Sequence, residues 1–425
     1  LSFWVVASYM ALFLIRPWEV LFPWMAEFPI ERTVAILALA TVILSGQFWF
    51  RLTGQTATIL ALLGAVTFSA TRGLDPDTSW NEVYKYFTVV AWYFLLNSVM
   101  RTPRAVLAMA TWWLLVMGLY MFKSLWEYFY GRHVWAQGVP RLVGIDLTYG
   151  NVNEFAGIVT FTLPALYFVF RARGEFARRF RRWLNLGLAA YLVMAPMCIV
   201  LTNSRSGMAK AIAFFLLVSL RGEGLFKKLL YLVAALVILL GIWVMMPEAS
   251  QNRFRTIWDA SAGPEYAGES ARARLEMDGL IMGLKALDHF PLTGVGIGNF
   301  PTYRAYYHDG QRIESHNLGG QALGETGLLG TITFVLMVAV ILTNCRRVRA
   351  AARFDPDPKL RLMSECGGSC RDTIILLFLS GVGGNNMFFY HWIWMAAFSQ
   401  SAVACLGVIR REGSDRPVPY GIAQS

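Results

Sequence analysis

Charge is scarce in this 425-residue chain: Asp, Glu, Lys and Arg make up 15% of it, against about a quarter in a soluble domain. That shortage argues against an ordinary soluble protein, and the abundance of apolar residues excludes a disordered one. Cysteine is sparse as well, with five residues scattered at 198, 345, 366, 370 and 405. No disulfide scaffold is drawn by that spacing, and the thiols read as reduced and structural. Cys366-Gly-Gly-Ser-Cys370 is half a metal clip without a second half. The five histidines, at 133, 289, 308, 316 and 391, show neither H-x-x-x-H nor H-E-x-x-H spacing, so neither a zinc site nor any other metal or cofactor is expected. Internal repeats, low-complexity tracts and interdomain linkers are also missing, which leaves a single domain.

What the chain has is apolar length. Hydrophobic residues make up 56% and aromatics 14%, with 15 Trp and a mean hydropathy of +0.46. About 20 apolar residues cross the hydrocarbon as a helix, and rings of Trp and Tyr settle at the membrane interfaces. Candidate runs fall near 3–15, 33–50, 55–70, 83–100, 105–122, 153–170, 184–202, 207–220, 226–246, 317–344, 372–389 and 391–409. The expected fold is therefore all-α: a polytopic integral membrane protein of about twelve transmembrane helices with one large, partly helical outer loop. Spans 1–9 occupy 1–246, the loop 247–316, and spans 10–12 with a cytoplasmic tail 317–425. The chain opens at Leu1, which reads as a trimmed N-terminus.

The net charge of +11 would suit nucleic acid only if the basic residues shared one soluble face, so no nucleic-acid partner is expected. They cluster instead at Arg171, Arg173, Arg178, Arg179, Arg181 and Arg182, at Arg346, Arg347, Arg349, Arg353, Lys359 and Arg361, and at Arg410 and Arg411. With twelve spans and an inner N-terminus all three clusters lie on the cytoplasmic side, as the positive-inside rule asks, where they also attract anionic membrane lipid. The exception is the outer loop, which carries basic residues from Arg253 to Arg312 and so suggests an anionic ligand. Within it Ser270 caps an expected helix over 271–288, with Leu280, Leu284 and Leu287 on one face, stopped by Pro291.

Several motifs carry chemistry. Thr202-Asn-Ser-Arg205-Ser-Gly207 turns between two apolar runs and holds an Arg close to hydrocarbon, where it either snorkels to headgroups or meets a phosphate by bidentate hydrogen bonds. Gly294-Val-Gly-Ile-Gly298 lacks the strand-turn-helix context of a dinucleotide fingerprint and reads as a tight re-entrant or interfacial turn. His316, in Glu314-Ser-His-Asn317, joins the loop to the next span and can take a proton from a hydroxyl near neutral pH. Glu154 and Glu325 lie inside apolar runs, as in a proton-coupled carrier, but near the outer ends, without the paired broken helices of inverted-repeat transporters.

Taken together, Ser204-Arg-Ser-Gly207, the large outer loop with Arg274, Phe290-Pro-Leu-Thr-Gly-Val-Gly-Ile-Gly-Asn-Phe300, Ser315-His-Asn317 and Gly324-Glu-Thr-Gly327 resemble the O-antigen ligase and O-antigen polymerase superfamily. Arg141-Leu-Val-Gly144 and Asn151-Val-Asn-Glu-Phe155 are similar to the family's pattern before its sixth span. The family often carries an aromatic shortly after its loop arginine; this chain has Met277. The resemblance implies a glycosyltransferase of the bacterial inner membrane with its site facing the periplasm, its large loop being periplasmic. An undecaprenyl-diphosphate-linked glycan would be the donor, moved with inversion and without a metal. The acceptor would be lipid A core in lipopolysaccharide assembly, a second lipid-linked repeat in an O-antigen or exopolysaccharide polymerase, or a hydroxyl side chain in a protein O-oligosaccharyltransferase. By the same resemblance Arg205 and Arg274 would stabilise the diphosphate, His316 would serve as base or orient the acceptor, and Arg141, Asn153 and Glu325 would line the substrate. A proton-coupled exporter using Glu154 or Glu325 is the alternative from another class.

Overall fold

A computed structural model describes residues 1–20, 22–28, 30–136, 138–145, 151–221, 224–256, 259, 277–352 and 357–414. Fifteen α-helices of eight residues or more occupy these residues: α1 Ser2–Ile15, α2 Ile30–Leu44, α3 Gly54–Ala70, α4 Pro76–Val99, α5 Pro103–Phe129, α6 Val152–Arg171, α7 Arg178–Leu201 and α8 Arg205–Leu220. There follow α9 Leu225–Met245, α10 Glu248–Arg255, α11 Asp278–His289, α12 Phe300–Tyr307, α13 Leu318–Ala351, α14 Pro358–Gly381 and α15 Tyr390–Ser414. The helices start where sequence chemistry favours it. Thr53, Asp75, Thr102, Ser204, Asn317 and Asp357 each accept a backbone N–H with their side chains at a helix N-terminus, and Pro76, Pro103 and Pro358 fill first-turn positions with no donor to lose.

Five helices, α5, α6, α7, α13 and α15, are long and apolar enough to cross a membrane, and α1 and α3 are shorter apolar helices. Every one of the twelve apolar runs overlaps a helix. Their outer faces stay greasy: Leu186, Leu192 and Val193 of α7 and Leu229, Leu230, Val233, Leu236 and Val237 of α9 are all exposed, a surface that only a lipid environment stabilises. The inner faces are packed around α6, α13, α14 and α15. There Trp92, Trp113, Trp392 and Trp394 are fully buried, with Trp394 edge-on to Trp92 and Trp113 at 5.6 and 5.5 Å.

The described residues are all-helical apart from a short antiparallel hairpin, β1 Val134–Ala136 with β2 Val139–Arg141. Two expectations need correction. α14 begins at Pro358 rather than near 372; the polar stretch continues the helix because Arg371 and Asp372 pair within it and Glu365 reaches Arg171. The loop helix begins at Asp278, since Met277 has φ +53° and a left-handed residue cannot continue a right-handed helix; Ser270 and 271–276 lie outside the described residues. Its buried face is Gly279, Met282, Gly283 and Ala286, and Leu284 is exposed. The small stripe faces inward because it allows two backbones to approach as closely as they do here: a Cβ on Gly283 would stand 2.5 Å from the Cα of Gly320 on α13.

Candidate active site

Three residues separate α7 from α8. Asn203 makes the turn at φ +49°, a left-handed conformation Asn tolerates better than most side chains. Ser204 then caps α8, its Oγ accepting the Gly207 N–H at 3.2 Å and donating to Asn153 Oδ1 at 2.9 Å. The same oxygen accepts from Arg141 Nη2 at 3.2 Å, while Arg141 Nε donates to the Thr202 carbonyl at 2.8 Å. The hairpin is stitched to this turn from its own side. Asn203 Nδ2 donates to the Pro140 carbonyl at 3.2 Å, and the Leu142 N–H to the Leu201 carbonyl at 2.9 Å. From a third direction α10 brings Arg253 Nε to the Asn203 carbonyl at 2.9 Å and Thr256 Oγ1 to Arg205 Nη1 at 2.6 Å. Arg141 and Arg253 are 5% and 3% exposed, whereas Arg205 is only half-buried. Two sealed guanidinium groups thus shape a corner in which the third has access to solvent, a pre-organised arrangement for an anion.

His316 stands at φ +48°, a costly backbone for a non-glycine residue that persists only where neighbours impose it. The neighbours are visible. Asn317 caps α13 through the Gly320 N–H at 3.0 Å and donates to the Val382 carbonyl at 3.3 Å, and the buried Ser315 donates to the Asn317 carbonyl at 2.8 Å. α11 presses on the other side, so close that a Cβ on Gly279 would lie 1.6 Å from the Ser315 carbonyl oxygen. The exposed His316 lines a cleft of about 300 Å³ together with Met277, Asp278, Glu314 and Arg304. Arg304 is neutralised within it by Asp278 at 2.7 Å and Asp309 at 2.6 Å. Burial, then the charges of Glu82 and Glu154, push the Glu314 carboxyl above the usual carboxylate range. Arg171 at the end of α6 and Arg349 at the end of α13 line one cavity, so the starts of both helices, which carry Asn153 and follow His316, lie together at the other end of the bundle.

Glu325 is 1% exposed. Its carboxyl takes Gln321 Nε2 at 3.4 Å, and its carbonyl takes the Gly296 N–H at 3.1 Å and Ser69 Oγ at 2.8 Å. The glycine-rich run is thus a tight turn laid on α13 where that helix is broken at Gly327, φ +61°. Gly294, at φ +64°, has no room for a side chain, since a Cβ would sit 2.5 Å from the Gly324 carbonyl oxygen.

Of the residues singled out from sequence, Arg141, Asn153 and Arg205 come together through the Ser204 turn. His316 lines its own cleft nearby, and Glu325 is sealed beneath the glycine turn. Arg274 lies outside the described residues, three positions ahead of Met277. Sequence reasoning missed Arg253 as part of the corner, because one basic residue in a polar loop carries no signal of what it touches. Lys210 was also missed, although it is the single charged side chain in the apolar run 206–220. It is 1% exposed, donates to Ser380 Oγ at 3.2 Å and lies 5.2 Å from the Phe161 ring centre. Among the described residues no three His, Cys, Asp or Glu side chains converge as metal ligands would.

The architecture and its site define a helical membrane protein with a polar, arginine-bearing corner at one end of the bundle. Residues 189–335, about a third of the chain, match the O-antigen ligase family model. The matched stretch contains Arg205, Arg253, Arg274, His316 and Glu325 but neither Arg141 nor Asn153. No curated protein matches the chain.

Proposed function

We propose that the protein transfers a glycan from an undecaprenyl-diphosphate carrier to an acceptor hydroxyl at the periplasmic face of the bacterial inner membrane. The observation that carries this reading is the hydrogen-bonded corner of Arg141, Asn153, Ser204, Arg205 and Arg253 at the same bundle end as the His316 cleft. His316 takes the proton of the acceptor hydroxyl as the oxygen attacks the anomeric carbon. The bond from that carbon to the diphosphate oxygen breaks on the opposite side, with inversion, and the leaving diphosphate gains charge. Arg205, joined by Arg274 from the loop, stabilises that charge. A planar guanidinium holds two phosphate oxygens at once, so the displacement requires no metal ion in this scheme. Arg141 and Asn153 hold the corner, and Glu325 acts one layer back by fixing the glycine turn. Twelve spans are proposed, with residues 247–316 as the periplasmic loop between the membrane segments 1–246 and 317–425.

The acceptor is decided by reconstitution with a polyprenyl-diphosphate oligosaccharide, offered lipid A core, a Ser/Thr peptide, or neither. One transfer to lipid A core establishes a ligase in lipopolysaccharide assembly. A ladder on the carrier alone establishes a polymerase, and a glycopeptide a protein O-oligosaccharyltransferase. No product in any arm, with glycan or proton flux instead, refutes the reading in favour of an exporter.

A further inference from the structure

The end of the bundle opposite this site is built around a second polar cavity, independent of the transfer reading. We propose that this cavity binds a phosphate group, carried in the cell by an anionic phospholipid headgroup. The C-terminal ends of α6, α8 and α13, the start of α9 and the first half of α14 enclose about 650 Å³ there. On α6, Arg171 lies 18 residues from Asn153, about 27 Å along a helix, so a diphosphate in the active-site corner does not reach it.

The basic side chains lining the cavity are Arg171, Arg221, Lys227, Arg349 and Arg371. Two carboxylates offset them in part. Asp372, 1% exposed, meets Arg221 Nη2 at 2.6 Å and Arg371 Nη2 at 2.7 Å, and Glu365 meets Arg171 Nε at 3.2 Å and Arg221 Nη1 at 3.9 Å. Among the described residues five cations face two carboxylates, and Arg349, besides being partly buried, feels the like charges of Arg371 and Arg221, which Asp372 offsets in part. Such crowding is unfavourable until an anion enters. The floor of the cavity is the buried ion pair of Arg221 Nη2 with Asp372 Oδ2. Gly368 makes the room: a Cβ there would stand 2.8 Å from Arg221 Nη2. The walls favour a phosphate that carries acyl chains, because Leu220 and Ile375 line the same cavity and remain exposed, 65% and 38%. Basic pockets between membrane helices bind lipid headgroups by this combination.

The test compares wild type with the Lys227→Gln, Arg349→Gln double variant. Both residues are exposed and neither forms an ion pair among the described residues, so their loss leaves the Asp372 anchor intact. Purified protein is melted in phosphatidylcholine nanodiscs with and without phosphatidylglycerol, and retained lipids are counted by native mass spectrometry; a third arm adds inorganic phosphate in detergent. Phosphatidylglycerol is expected to raise the wild-type melting temperature and to be retained about tenfold more weakly, or worse, by the double variant. The same protection by inorganic phosphate would support the site with a soluble occupant. If the double variant does not purify, Arg349→Gln alone gives the comparison. Phosphatidylcholine protecting as well as phosphatidylglycerol, or a variant that behaves like wild type in every arm, overturns the proposal.

Discussion

Replacing Gly279 by Ala tests how His316 is held. The new methyl would lie 1.6 Å from the Ser315 carbonyl oxygen and 2.7 Å from its carbon, and ordinary contact begins near 3.4 Å. Neither atom belongs to a flexible side chain, so the backbone of 315–316 or the whole of α11 must retreat by roughly 1.5–2 Å, an overpacking cost of about 1–3 kcal/mol. A displacement of about 1 Å at a catalytic group lowers rates on the order of a hundredfold. Gly279→Ala should therefore lose about two orders of magnitude in glycan transfer while its melting temperature falls only by the few degrees that this strain implies. Gly64→Ala is the control, because nothing lies within 4 Å of the methyl it adds; it should transfer as wild type does. Both proteins are assayed as purified preparations for melting and for transfer from a polyprenyl-diphosphate glycan. Wild-type transfer by Gly279→Ala would refute the claim that the glycine crossing positions His316.

Arg205→Lys keeps the charge but not the fork, and should lower transfer about a hundredfold with a smaller change in melting, since the side chain is only half-buried and its bond to Thr256 is to a neutral hydroxyl. Arg141→Lys should cost stability as well, about 1.5–3 kcal/mol read from chemical denaturation, because Thr202 and Asn153 both lose a charged donor. Asn203→Gly keeps the φ +49° turn but loses the bond to Pro140 and should cost about 0.5–1.5 kcal/mol, whereas Asn203→Val also strains the turn and should cost about 1–2 kcal/mol more, read the same way. For Glu314, a raised folded-state pKa means that the charged form is the one the fold disfavours. Stability falls as pH rises from the ordinary carboxylate range through the raised one and is flat beyond it. Glu314→Gln should remove that fall, melting above wild type at neutral pH and equal to it in acid; identical pH profiles would contradict the assignment.

Apolar length was enough to locate a helix at each of the twelve runs, five of which lie on helices long and apolar enough to cross a membrane. Composition says much less about ends, and α14 shows why: Arg371 and Asp372 look like a loop in sequence and pair inside a helix in space. The leucine face of α11 was legible, but not that its tightest packing goes to Gly279 and Gly283 while Leu284 stays outside, because glycines carry no periodic signal. Among site residues, Arg205 and His316 stood out because a charge next to hydrocarbon and a lone interfacial imidazole are locally anomalous. Arg253 and Glu314 did not, since their environments are made by chain segments dozens of residues away.

The proposed joint role of His316 and Arg205 in transfer from a diphosphate-linked glycan is tested by single-turnover transfer in proteoliposomes by wild type, His316→Ala and Arg205→Ala, with donor binding measured in parallel. His316→Ala should bind the donor like wild type but transfer at least a hundredfold more slowly, and Arg205→Ala should lose transfer together with part of its donor affinity. Transfer at the wild-type rate by both variants would contradict it.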